Sequence, residues 1–302
     1  MHADKPSRTA LIVSLAVLFR HLEPAFRTLT VDVTVNLAER ALLEFIPLGG
    51  RWRAWLAAKP VRQLVEAVER LVLPGFMTHV VCRKAWIRER VLERLPDCPH
   101  LVVVAAGLDG LAASLAQSRA ELRTVEVDHP ATQALKRRLL GAETASRIAW
   151  QGVDLTTERL EQALADDAGA RSVFVVEGLT MYLQESEVRR LFEGLAALAA
   201  PGSVCVFTFM EPDARGQIRF QRAGAWLDRW LRLVKEPFRW GLARTALRDF
   251  LAPTGWQLAE VAESAAMLPA SRADAAIARG EWLAVAVRRS QDESPCEGAT
   301  RP

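Results

Sequence analysis

The chain has 302 residues, half of them hydrophobic and a quarter charged, with a formal net charge of +3. That balance suits one large globular domain, or a domain with a cap, and excludes a collagen-like, disordered or disulfide-stapled miniature chain. No Lys/Arg block marks a basic stripe, so nucleic acid is not expected as a partner.

Residues 9–19 (TALIVSLAVLF) follow Lys5 and Arg8 and superficially resemble a signal peptide. The apolar run is about eleven residues, short of a bilayer span. It leads into Arg20-His21-Leu22-Glu23-Pro24 rather than a small-residue cleavage site, so a buried or amphipathic helix is expected, and no membrane partner. VRQLVEAVERLVL (61–73) sets Val61, Leu64, Val65, Val68, Leu71 and Val72 on one face at helical spacing. Pro74-Gly75 breaks that helix. KAWIRERVLERL (84–95) is a further helix with Trp86, Ile87, Val91 and Leu95 on one side, so residues 1–95 read as a helical N-terminal cap region.

From residue 101 the pattern changes. LVVVA (101–105) is a short continuous apolar run, the mark of a strand buried on both faces. LRTVEV (122–127), RIAWQ (147–151), SVFVV (172–176) and SVCVFTF (203–209) follow, separated by the helical stretches LAASLAQS, PATQALKRRLL, TERLEQALAD and ESEVRRLFEGLAALA. Strands alternating with helices of this length build β-α-β units and an α/β fold around a parallel sheet. An insertion at 211–245 carries Phe220, Trp226, Trp230, Phe238 and Trp240. A helix (TALRDFLAPTG) and the strands WQLAEVA (256–262) and EWLAVAV (281–287) complete a core over 96–288. The final hairpin-like strand pair departs from a six-stranded dinucleotide fold, and the polar tail 289–302 is expected to be disordered.

Four cysteines, at 82, 98, 205 and 296, form no CxxC pair, and the five histidines show no HExxH spacing. Reduced thiols, a cytoplasmic location and no metal site are therefore expected.

Four places carry candidate chemistry. AAGLDG (105–110) follows a buried strand, precedes a helix and nearly matches G-x-G-x-x-G, with Ala105 for the first glycine and Gly107 for the second. Glycine there lets backbone approach a ligand, although a tight strand–helix turn accounts for the loop equally well. TVEVDHP (124–130) ends the next strand in Asp128, 21 residues after Gly107, where an acid can accept hydrogen bonds from both ribose hydroxyls of a nucleoside cofactor. Asp154-Leu155 follows the third strand and could read an adenine amino group, or Asp154 could cap a helix starting at Thr156-Thr157. EGLTMYL (177–183) ends the fourth strand, so Glu177 would face the ligand crevice, with Tyr182, the chain's one tyrosine, close by as core residue or substrate contact.

AAGLDG, EVDHPATQALK and VVEGLTMYL resemble the motifs of the leucine carboxyl methyltransferase family, including its bacterial O-methyltransferase branch linked to secondary metabolism. The family's usual forms are GAGLDTR, E-x-D-x-P with a lysine downstream, and EG-x-x-x-YL. The resemblance covers residues 80–210, and EPFRWGL (236–242) more weakly. It implies a Rossmann-like class I methyltransferase fold, a seven-stranded mostly parallel sheet with helices on both faces, and S-adenosylmethionine as cofactor. By position it implies that Asp128 holds the ribose, Asp154 and Leu155 the adenine, and Glu177 the cofactor's amino-acid end. Arg83-Lys84-Ala85-Trp86-Ile87 is similar to the family's R-T-R-W-I-D segment, which implies that Arg83 pairs with the methionyl carboxylate. An arginine fork suits that role because it binds both oxygens. The chain departs from the family at Ala105, at Gly110-Leu111 where Thr-Arg is usual, and at Arg88 where an aspartate is usual.

Methyl transfer from a sulfonium is an in-line displacement, so the protein has mainly to align the reactants and exclude water. The expected acceptor is a carboxylate, ionised at neutral pH without a base, or a hydroxyl of a small hydrophobic acid. For a hydroxyl, His129 is the nearest base. Tyr182 is the candidate catalytic residue, and Trp226, Trp230 and Arg222 are candidate substrate-binding residues on a lid formed by the insertion, with Arg229 as a further cation. A monomer or homodimer is expected. Three rivals are a nicotinamide-dependent oxidoreductase, whose Tyr-x-x-x-Lys is missing here, a non-catalytic binding protein that kept the fold, and a methyltransferase acting on a protein C-terminus rather than a small molecule.

Overall fold

A computed structural model describes residues 8–45, 52–155, 158–233 and 236–289. The side chains at 8, 45, 52, 53, 225, 226, 228 and 230 lie outside that description, as does the expected disorder of the tail from residue 290 onward.

Among the described residues six helices precede the first strand: α1 (Arg8–His21), α2 (Pro24–Arg27), α3 (Asp32–Phe45), α4 (Trp52–Ala57), α5 (Lys59–Val72) and α6 (Phe76–Arg94). The run at 9–19 is thus helical, and Val17, Leu18 and Phe19 bury it against Phe26, Val80 and Val81. No helix among the described residues is long and apolar enough to cross a membrane. Helix α6 begins at Phe76, eight residues ahead of the stretch marked by periodicity, because Gly75 takes a left-handed turn (φ 78°) that starts it. Its face Trp86, Ile87, Val91 and Leu95 is buried as expected.

The α/β core then runs β1 (His100–Val104), α7 (Leu111–Ser118), β2 (Arg123–Asp128), α8 (Pro130–Leu140), α9 (Ala142–Ala145), β3 (Ala149–Gly152), α10 (Leu160–Ala163), β4 (Ser172–Val176), α11 (Glu185–Leu198) and β5 (Val204–Met210). It closes with α12 (Ala225–Leu233), α13 (Leu247–Leu251), β6 (Trp256–Ala262) and β7 (Glu281–Arg288). The seven strands form one sheet in the order β3-β2-β1-β4-β5-β7-β6. β1 to β5 are parallel, and β7 runs antiparallel to both β5 and β6.

The β-branched runs explain the sheet's two-sided burial. Val102 and Val104 pack with Phe174, Val176 and Phe192 on one face, while Leu101 and Val103 pack with Trp86, Val173 and Leu115 on the other. Each such side chain contributes roughly 1.5–3 kcal/mol by leaving water. The winding reverses between β1 and β4, which opens a crevice at the carboxyl ends of β1, β2 and β4.

Candidate functional site

A cavity of about 500 Å³ lies at that crevice, between the strand ends and α1, α5, α6 and α12. Its floor is the loop after β1. Ala105 and Gly107 both adopt left-handed backbone, with φ of 53° and 52°. The conformation turns the chain sharply off the strand and into α7, and it is one that glycine takes without strain. Ala105 holds it at a cost of about 1–2 kcal/mol, which is the physical content of the departure from the family's glycine.

Asp128, at the end of β2, faces this loop. Its Oδ2 accepts a hydrogen bond from the Gly107 N–H at 2.6 Å, and its Oδ1 accepts one from the His129 N–H at 2.6 Å. Burial raises the carboxyl's pKa, while the two backbone donors pull the other way. A carboxylate has about four lone-pair sites, so two remain for a ligand diol. His129 caps α8, its Nδ1 accepting from the Ala131 N–H at 3.3 Å, which gives that ring a structural task.

The loop's departure at Gly110 follows from α3. A Cβ at Gly110 would fall 2.5 Å from the Thr34 backbone nitrogen, so only glycine admits the start of that helix. The Thr34 hydroxyl accepts from the Gly110 N–H at 3.0 Å and donates to Asp109 at 3.1 Å. Burial alone would raise the Asp109 carboxyl, but Lys84, Lys136, Thr34 and the Gly110 N–H together hold it below its ordinary value. Arg88 does not line the cavity. It shares a separate small crevice with Leu111, so the two remaining family departures sit side by side and leave one cation between them.

Opposite the loop, α6 delivers Arg83 and Lys84 to the end of β4. The Arg83 Nε donates to Glu177 Oε1 at 2.9 Å and Nη1 donates to Glu281 Oε2 at 2.7 Å, while Nη2 lies 2.7 Å from Glu177 Oε1. Lys84 Nζ sits 3.0 Å from Glu177 and 3.4 Å from Asp109. His79, fully buried, holds Glu281 from the other side at 2.6 Å and reaches Ser264 at 2.7 Å. Burial opposes ionisation of Glu281, yet Arg83 and His79 outweigh it and hold the carboxyl at about 2.

Asp154 and Leu155 also line the cavity. The alternative, Asp154 as the cap of a helix starting at Thr156-Thr157, falls on residues outside the described ones.

The other half of the cavity is apolar. Val13, Val72, Leu73, Phe76, Phe220 and Leu231 line it. Tyr182 lines it too, in hydrogen-bonding contact with Thr9, whose hydroxyl also donates to Glu236. Burial pushes the Tyr182 phenol well above its ordinary value, so it keeps its proton. The insertion lines the cavity through residues that include Phe220, Phe238, and Leu227 and Leu231 of α12. The side chains of Trp226 and Trp230 lie outside the described residues. Arg222 is exposed, takes φ 59° and is absent from the lining.

Sequence reasoning missed Lys84, Asp109, Glu281 and Thr9 as site residues. Glu281 left one trace, an acid opening an otherwise apolar strand.

A sequence model of the leucine carboxyl methyltransferase family matches residues 32–196, more than half the chain. A protein of Mycobacterium avium (strain 104), provisionally named an S-adenosyl-L-methionine-dependent methyltransferase, is 32% identical over 166 residues, 52% of this chain and 54% of that protein. One of Mycobacterium sp. (strain JLS), so named as well, is 32% identical over 169 residues, 53% of this chain and 56% of its own. The chain thus spans about half the length of the curated relatives it matches. In fold, it is similar to the crystal structure of a provisionally assigned methyltransferase from Thermobifida fusca YX (TM-score 0.56, 17% identity, 77% of this chain and 90% of that one). With a match across the cap, the glycine loop, Asp128 and Glu177, the chain belongs to the leucine carboxyl methyltransferase family.

Proposed function

We propose that the protein is an S-adenosylmethionine-dependent O-methyltransferase acting on a carboxylate, or a hydroxyl, of a small hydrophobic acid. The observation that carries this reading is the arrangement of Arg83, Glu177 and Asp128 on one cavity. Asp128 offers lone pairs to a ribose diol at one end. At the other, Arg83 and Glu177 stand 2.7 Å apart as a receiver for a zwitterion, the cation for its carboxylate and the acid for its ammonium. Asp154 and Leu155, on the same lining, are available to the base that the ribose carries.

The sign of the lining supports a cationic donor. Asp109, Asp128, Asp154, Glu177, Glu236 and Glu281 outnumber Arg83, Lys84 and Arg239. That field favours a sulfonium and an ammonium and disfavours the pyrophosphate of a dinucleotide.

When bound, S-adenosylmethionine supplies a methyl group already activated by its sulfonium. The protein's part is then alignment and exclusion of water, which together can lower a barrier by roughly 7–11 kcal/mol. The apolar half holds the body of the acceptor. Tyr182 keeps its proton, which goes to Thr9 because the Thr9 hydroxyl donates to Glu236, so it lines the acceptor half and does not act as a base. Arg239, also on the lining, gives an acidic acceptor its countercharge. A carboxylate needs no base, in keeping with His129 serving as a helix cap.

Titration calorimetry with S-adenosylhomocysteine and NAD tests the reading. Binding of the homocysteine product without NAD is expected; binding of NAD alone contradicts it.

A further inference from the structure

Helix α5 has an apolar face that no described residue covers. Val61 and Val65 pack toward the cap's core, but Leu64, Val68 and Leu71, at spacings i, i+4 and i+7, are 65%, 51% and 81% exposed. Trp55 on the neighbouring α4 is 46% exposed and Leu233, at the end of α12, is 78% exposed. These helices stand at the cavity's apolar half. Val72 and Leu73 line it from α5, and the Gly224 N–H donates to the Val72 carbonyl at 3.0 Å, fixing α12 beside the end of α5. Exposed cations flank the same row: Lys59 and Arg70 on α5, Arg222 before α12, and Arg229 and Arg232 on it. Of the acids on α5, Glu69 is turned inward to Arg20, 3.3 Å away, and Glu66 is half-buried beside Arg62.

We propose that this face is a docking surface for an anionic lipid bilayer, with α5 lying in the plane of the interface and the apolar half of the cavity next to the membrane. A row of protruding aliphatic side chains with a neighbouring tryptophan and a cationic rim is the composition of an interfacial helix. Such a helix buries its apolar side about 5–10 Å into the headgroup boundary. A second copy fits less well. A two-fold contact through this face would set the cations around Leu71 against their own copies, and like charges brought together in an interface are costly. Among the described residues no helix is long and apolar enough to cross a bilayer, and surface contact does not require one.

The test is flotation of the full chain with vesicles, without donor or acceptor, so its outcome is independent of the methyl-transfer reading. Vesicles of phosphatidylcholine mixed with phosphatidylglycerol should carry the protein up the gradient, and pure phosphatidylcholine much less. About 1 M salt, which cuts the screening length to about 3 Å, should weaken the binding. The combined variant Leu64→Gln, Val68→Gln, Leu71→Gln should lower the apparent partition at least about tenfold. These positions are solvent-facing, and an unchanged circular dichroism spectrum verifies that the variant is folded. Protein that stays at the bottom with anionic vesicles overturns the proposal, as does a triple variant that floats like wild type. Light scattering that shows a dimer broken by the triple variant overturns it in favour of a contact between copies.

Discussion

The strand-end half of the cavity and its helical half are built on opposite principles. At the ends of β1, β2 and β4, Asp128, Glu177, Arg83 and Lys84 are each held in place by other protein groups at 2.6–3.4 Å. Across from them, α1, α5, the start of α6 and α12 offer mostly aliphatic and aromatic surface, with Tyr182, Thr9, Glu236 and Arg239 among the polar exceptions. The first half selects by geometry and charge, the second by shape and burial. A fixed polar frame suits a charged ligand of defined shape, and an apolar wall suits a hydrophobic one.

The sharpest way to break the polar frame is Arg83→Met. The substitution leaves Glu177 and Glu281 buried without their shared cation, and should destabilise the fold by about 3–5 kcal/mol in urea denaturation. A loss below 1 kcal/mol would mean the pair is held by other groups.

The same frame should fail in acid. Glu281 binds its proton less readily folded, at about 2, than unfolded, near 4.5. Its contribution, on the order of 3 kcal/mol, is therefore fully present above the unfolded value and disappears as pH falls from there toward 2. Denaturation midpoints of wild type should drop more steeply between about pH 5 and pH 3 than those of Glu281→Gln. Parallel slopes would remove Glu281 from the account.

Asp128→Ala should weaken S-adenosylhomocysteine by roughly 1–3 kcal/mol, the cost of leaving buried hydroxyls unpaired. Unchanged affinity in calorimetry would take Asp128 out of the donor half. The smallest effect belongs to Ala105→Gly. Relief of the left-handed alanine, worth about 1–2 kcal/mol, is partly offset by the glycine's freedom in the unfolded chain, so a net gain of up to about 1 kcal/mol is expected in thermal unfolding. A loss would show that φ 53° at Ala105 is unstrained.

The contrast between the halves also explains what could be read in the sequence. The strand ends are contiguous with their strands, so the loop at 105–110, Asp128, Asp154 and Glu177 were legible from an apolar run followed by a glycine or an acid. The sheet was legible for the same reason: strands at 172–176 and 256–262 fall where the residues place them. Glu281 was hidden because it meets Arg83 across 198 residues of chain, and no local pattern encodes such a pairing. Gly110 looked like a departure because its reason, the Thr34 backbone, lies 76 residues away. The α5 periodicity announced an apolar face correctly, but periodicity does not say what covers a face, and here Leu64, Val68 and Leu71 point outward. The insertion's aromatic content pointed to a place at the cavity, and Phe220 and Phe238 do line it, but the sequence did not mark the leucines Leu227 and Leu231 that line it from α12.

On the proposed reading, one cavity contacts both the nucleoside and the amino-acid end of S-adenosylmethionine. Titrating S-adenosylhomocysteine against 5′-methylthioadenosine, which lacks the amino-acid end, tests this directly in wild type and in the milder Glu177→Gln. Wild type should prefer S-adenosylhomocysteine by about tenfold or more, the worth of a charge-assisted contact, and Glu177→Gln should narrow that gap. Equal affinity for both ligands in wild type, or a gap unchanged in Glu177→Gln, would contradict the assignment.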